Sequence, residues 1–151
     1  MGKEFESYFT ELQTDMVAIC LEYVNHKADN IYIYCSYEPQ VYVFDVFFHI
    51  NGQVVHKGQL NNLKSKYFYD DSRKRQRAML RLGNKNLQLI HKKSDDFNRE
   101  MPTEMKLYYD VKKNSLTAKY KYDLVYSNDD KLLPDNIFDE WFEEVKNKIE
   151  G

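Results

Sequence analysis

The chain has 151 residues, 42% hydrophobic and 30% charged, with two cysteines, five glycines and three prolines. That length suits a single domain over residues 1–151, and two thiols exclude a disulfide-stapled secreted scaffold, while so little Gly and Pro excludes collagen-like and low-complexity chains. The net charge is only −2, yet Lys64 to Lys93 holds ten basic residues against Asp70 and Asp71, so the remainder is strongly acidic.

From Glu4 to Tyr23, the residues Phe5, Phe9, Leu12, Met16, Ile19 and Tyr23 recur at steps of four and three, which predicts an amphipathic helix. The polar stretch Asn25 to Asn30 closes it. Ile31 to Tyr37 is β-branched and aromatic like a strand, Glu38-Pro39-Gln40 reads as a turn, and Val41 to Ile50 is a second strand. Asn51-Gly52 is a type I′ hairpin signal because both central residues of that turn need positive φ, so Gln53 to Gln59 pairs back as a third strand. Beyond a polar connection from Asn61 to Asp71, an N-cap at Asp71 or Ser72 opens a second helix with Leu80, Gly83, Leu87 and Ile90 on one face. Since an interior glycine costs about 1 kcal/mol against alanine, Gly83 and Asn84 leave room for a bend or an early break there, and Pro102 is the outer limit.

Met105 to Val111 and Leu116 to Tyr122 both alternate and are joined by Lys112-Lys113-Asn114-Ser115, a second hairpin. Asp135 then caps a third helix carrying Phe138, Trp141, Phe142, Val145 and Ile149 at helical spacing, with these aromatics facing the sheet. The order α-β-β-β-α-β-β-α does not alternate as a parallel α/β sheet would. It predicts an α+β fold with an antiparallel sheet of about five strands and helices packed on it.

The chemistry-bearing residues are sparse. His26, His49, His56 and His91 have no zinc-ligand spacing with one another or with a cysteine, so no metal site and no cofactor is expected. His49 and His56 flank the Asn51-Gly52 turn and face each other across the hairpin if they are anything beyond solvated strand residues. Cys20 and Cys35 read as small buried groups in a reducing compartment, which predicts a cytoplasmic protein. No apolar run approaches the roughly 18 residues of a membrane helix. Residues Met1 to Ser7 show neither an apolar signal core nor a myristoylation pattern. No glycine-rich phosphate loop and no distinguishable carboxylate pair is present, so an enzyme is the weakest class.

Two charged segments remain. Residues 73–81, with Arg73, Lys74, Arg75, Arg77 and Arg81, are the best nucleic-acid signal, because clustered cations release counterions from phosphates. Read as helix, Arg73 and Arg77 share a face while Lys74 and Arg75 point elsewhere, so much of the run is accounted for as a solvated turn. The acidic quarter offers Asp129, Asp130, Asp135, Asp139, Glu140 and Glu143, with Glu144, as a docking surface for a cationic protein. In the last helix its acids lie outside the apolar stripe and should face water together.

The layout also resembles a known family. An opening amphipathic helix, the Tyr-rich strand Asn30 to Tyr37, a Phe-rich hairpin and a long middle helix lead into Pro102 to Val111 and then Ser115 to Asp123. This pattern is similar to the YezG-like immunity proteins, bacterial antitoxins encoded beside polymorphic, contact-dependent or Maf-type nuclease toxins, EndoU-type ribonucleases among them. Where that family often has Trp after the proline, this chain has Thr103. The resemblance implies a non-catalytic protein that sequesters a toxin's nuclease domain or blocks its active site. A nucleic-acid-binding module built on residues 73–81 is the alternative reading.

Overall fold

A computed structural model describes residues 4–38 and 40–151. The amino-end reading over Met1, Gly2 and Lys3, and the Pro39 position of the first turn, lie outside the described residues. The elements run α1 (Phe5–Tyr23), β1 (Asn30–Tyr37), β2 (Tyr42–Ile50), β3 (Gln53–His56), a short 3-10 turn (Leu60–Asn62), α2 (Arg73–Asp96), β4 (Glu104–Asp110), β5 (Ser115–Lys121) and α3 (Pro134–Glu150). The five strands form one antiparallel sheet in the order β3-β2-β1-β4-β5. This is the α+β fold and the element order expected of the sequence.

Three layers follow from the period-two alternation of the strands. Ile31, Ile33 and Cys35 of β1, Phe44, Val46 and Phe48 of β2, and Met105 and Leu107 of β4 face α1 and α2, where they meet Met16, Val17, Cys20, Met79, Leu87 and Ile90. The other face carries Tyr32, Tyr34, Phe47 and Val54, which pack on Phe138, Phe142 and Val145 of α3. Because β1 is central and covered on both sides, Ile31 through Ser36 are all buried. The helix α3 spans the β3, β2 and β1 side only, and on the same face of β5 Thr117, Lys119 and Lys121 are exposed.

Several expectations shift. In α1 the buried side includes Gln13, Val17 and Cys20 beside Phe5, Met16 and Tyr23, while Phe9, Leu12 and Ile19 are half-buried, because the helix packs against α2 as well as the sheet. The buried Gln13 amide is satisfied by donating to the Tyr120 hydroxyl at 2.8 Å. The strand β3 ends at His56 rather than Gln59, since the chain turns there with Gln59 N–H donating to the His56 carbonyl at 3.1 Å. Asn51 and Gly52 have φ of 52° and 78°, as a type I′ turn requires.

The helix α2 runs through Gly83 without a break, capped by Ser72, whose hydroxyl accepts from Arg75 N–H. The glycine serves close approach instead of a bend: a Cβ there would lie 2.2 Å from the Phe44 ring. For α3 the cap is Leu133, whose N–H donates to the Asn136 side chain at 2.8 Å, with Pro134 at the first helical position and Asp135 inside the first turn. Asp135 is therefore not the cap, though its charge still suits the helix amino end. Trp141 is half-buried at the margin of the second core, while Phe138 and Phe142 are fully inside it.

Candidate functional site

The acidic surface is assembled from α3 and the segment before it. In α3 the apolar stripe turns inward, and Asp135, Asp139, Glu140, Glu143 and Glu144 are all exposed. They do not form one patch. Asp135, Asp139 and Glu143 follow one another at steps of four along the flank beside β3, where Asp139 and Glu143 act electrostatically on His56. Glu144 lies on the opposite flank against Lys148, and Glu140 points outward between the two rows.

The only two cations of α3 are already committed. Lys146 pairs with Glu150 at 3.0 Å and Lys148 with Glu144 at 3.4 Å. Like charges four residues apart repel on a helix, and His56 does not relieve them: its burial against Phe142 pushes its pKa below the ordinary histidine value. Asp135, Asp139 and Glu143 are thus left with uncompensated charge facing solvent.

Asp129 and Asp130 sit in the loop leading to α3 and are exposed. The Asp129 carboxylate is partly engaged locally, accepting from Lys131 N–H at 2.8 Å and Leu132 N–H at 3.2 Å. Two large apolar side chains are exposed nearby in sequence, Leu124 at 53% and Leu133 at 61%. Exposed leucines and acids in one stretch of sequence have the mixed composition of a protein-docking surface.

What holds this loop was not visible in the sequence. The buried Glu38 carboxylate, just past β1, accepts from the backbone N–H groups of Val125 (2.8 Å), Tyr126 (2.9 Å) and Ser127 (2.8 Å) and from the Ser127 hydroxyl (2.8 Å). Burial opposes its charge, but those donors outweigh burial and hold its pKa below the usual carboxylate value. Tyr126 reinforces the clamp by donating to the Glu38 carbonyl and bonding the buried Ser36 hydroxyl at 2.5 Å. Beside it, buried Glu104 accepts from Tyr34 at 3.0 Å. A lone Glu after a Tyr-rich strand carries no sequence signal for such a role, because its partners are backbone groups 87–89 residues away.

On the opposite side of the sheet the basic run is divided between two jobs. The Arg75 guanidinium donates to the Glu22 and Tyr23 carbonyls at the end of α1, satisfying open carbonyls and complementing the helix dipole. Lys74, Arg77, Arg81 and Lys85 are exposed at steps of three and four along the outer side of α2. They form no ion pair with a described residue.

The histidines and cysteines take structural places. His49 and His56 share a sheet face but do not meet: His49 bonds the Asn30 side chain at 2.7 Å, and His56 lies opposite Phe47. Cys20 and Cys35 are buried free thiols, each with a pKa raised by burial. Among the described residues no group of three or more His, Cys, Asp or Glu could hold a metal ion, and no helix is long and apolar enough to cross a membrane.

Compared with known proteins, the sequence matches no protein-family model and no curated protein.

Proposed function

We propose that this chain is an immunity protein that binds a nuclease toxin domain without catalysis and denies it substrate. The reading rests on the pattern resemblance from Pro102 to Asp123 and on one structural observation above all. Asp135, Asp139 and Glu143 project from one flank of α3 while both lysines of that helix are paired elsewhere. A nuclease that attracts RNA or DNA presents a basic cleft, so an uncompensated acidic helix meets it with complementary potential and a fast encounter. Leu133, at the start of α3, and Leu124, in the loop before it, are exposed and would be available as apolar contacts.

The reading requires a nuclease-toxin gene beside this one, and a neighbourhood without such a gene would count against it; the test uses the nuclease domain that gene encodes. Co-expression should restore growth to cells producing that domain, and the purified pair should associate more slowly as salt rises. Reversing Asp135, Asp139, Glu140 and Glu143 to Lys should slow association further while leaving the fold intact, since exposed substitutions change stability by within about 0.5 kcal/mol. If neither rate constant responds to the four reversals, the acidic flank is only a solvated surface and the proposed docking site is wrong.

The second reading, nucleic-acid binding by α2, is favoured by the unpaired ridge of Lys74, Arg77, Arg81 and Lys85. It predicts duplex or single-strand binding with a steep salt dependence that these four residues carry.

A further inference from the structure

The helix α3 leaves half of its sheet face uncovered, and the strip between it and β5 is a groove of about 420 Å³. That volume lies within the roughly 300–1,000 Å³ of small-ligand sites. Its floor is Tyr32 and Tyr108, one wall is Trp141, and Lys106, Lys119 and Lys148 reach into it. The aromatic groups are held in place from behind. The Trp141 ring stands edge-on to Phe47 (5.1 Å between centroids) and Tyr32 (5.7 Å). The Tyr108 hydroxyl accepts from Asn30 at 3.0 Å, whose own oxygen is bonded to His49.

The charges are arranged at a cost. Lys106 and Lys119 are direct cross-strand partners on the same face, and like charges so placed destabilise a sheet. Buried Glu104 pairs at the limit of ion-pair distance with both Lys106 (4.0 Å) and Lys121 (3.9 Å) and is shared between them, whereas Lys119 pairs with no described acid. The one carboxylate lining the groove, Glu144, is neutralised by Lys148. The Lys106 ammonium lies over the Trp141 ring, 5.4 Å from its centroid, so an anion seated between it and Lys119 would lessen the repulsion, and a planar ring beside that anion would meet Tyr108 and the Trp141 indole.

We infer that this groove binds the phosphate-bearing nucleoside unit, with its phosphate between Lys106 and Lys119 and its base against Trp141 and Tyr108. Aromatic platforms bordered by cations bind bases without regard to sequence, because every base offers a flat face. Free nucleotide and strand end share this chemistry. The inference does not rest on the toxin-binding reading, which uses the opposite flank of α3.

Trp141 is the chain's one tryptophan, so its fluorescence reports the groove directly. Adenosine monophosphate should quench it saturably, with the same affinity by calorimetry. The Lys106→Gln/Lys119→Gln double variant should bind about tenfold or more weakly, and Lys119→Gln alone should leave the melting temperature unchanged or raised because it relieves the cross-strand repulsion. A hexanucleotide binding more tightly than the monophosphate would identify strand as the source, and equal affinity the free nucleotide. The inference is overturned if inorganic phosphate binds as well as the nucleotide, if an acidic peptide binds where nucleotides do not, or if neither nucleotide form binds. A drop in melting temperature on Lys119→Gln would also refute the charge argument.

Discussion

Replacing Glu38 tests the link between fold and docking surface most directly. One carboxylate oxygen collects three backbone N–H groups and a hydroxyl from residues 125–127. Hydrogen bonds to a charged acceptor contribute about 1.5–3 kcal/mol each, against about 0.5–1.5 for neutral ones. Glu38→Gln keeps an acceptor oxygen and loses the charge, so three amide bonds each weakened by about 1 kcal/mol predict a cost of about 3 kcal/mol. Glu38→Ala, which strands the buried Tyr126 N–H and admits water to the other two, should cost about 3–5 kcal/mol. Urea unfolding at neutral pH reads both, and hydrogen exchange at Val125, Tyr126 and Ser127 localises the loss. The pH dependence has a definite sign. The folded-state pKa of Glu38 lies below its unfolded value near 4.5, so its stabilisation is present above that value and is lost as pH falls through the lowered one. Wild type and Glu38→Gln should therefore converge in acid. If Glu38→Gln costs under about 0.5 kcal/mol and those amides exchange as before, the clamp does not position the loop.

Three further outcomes follow from packing. Gly83→Ala should destabilise by about 1–3 kcal/mol despite the better helix propensity of alanine, because its Cβ would enter the Phe44 ring; a stabilised variant in thermal unfolding would mean the two elements can separate freely. Trp141→Ala should cost about 1.5–2.5 kcal/mol, short of the 3–5 of a fully buried aromatic, and a chemical-denaturation value in that upper range would place the indole inside the core. His56, whose pKa is lowered by burial in a stack with Phe142 at 3.7 Å between centroids, favours the folded state above the unfolded histidine pKa and loses that contribution as pH falls below it. Stability of wild type relative to His56→Phe should thus decline between neutral and mildly acidic pH, and a flat difference would show that His56 is not desolvated.

The fold was largely legible because each element announces itself locally. β-branched and aromatic composition marked β1, alternation marked β4 and β5, the Asn51-Gly52 pair marked the first hairpin, and the spacing of Phe138, Phe142 and Val145 marked α3. What could not be read was anything set by non-local partners. Gly83 looked like a weak point in α2 because the Phe44 ring that fills its missing side chain lies 39 residues away, across the core. The run from Arg73 looked like one signal, yet Arg75 is diverted to the end of α1, a contact only the antiparallel pairing of the two helices creates. The acidic residues were each placed outward correctly, but their division between two flanks depends on where β3 and β5 lie beneath α3. The groove was hidden for the same reason: Lys106 and Lys119 become neighbours only through the β4–β5 register.

The distribution of charge among the layers explains why α3 is the face expected to steer a cationic partner. The helix α1 has acidic residues and no basic ones, while α2 has eight basic residues and two acidic ones. These two helices lie side by side, joined by Arg75 and, through the segment just after α2, by the Arg99–Glu6 ion pair, so beyond a Debye length of about 8 Å at physiological salt their fields largely offset. No basic helix lies beside α3. Among the described residues it is the one helix on its side of the sheet, its lysines hold Glu144 and Glu150, and burial lowers the pKa of the imidazole beside it, His56. Its β3-side flank therefore projects negative potential into solvent, whereas its other flank borders the Lys106–Lys119 groove. A helix with an acidic flank on one side and a basic groove of the sheet on the other distinguishes left from right in an approaching surface. Under the proposed reading, charge would set the orientation of a partner as well as its rate of arrival.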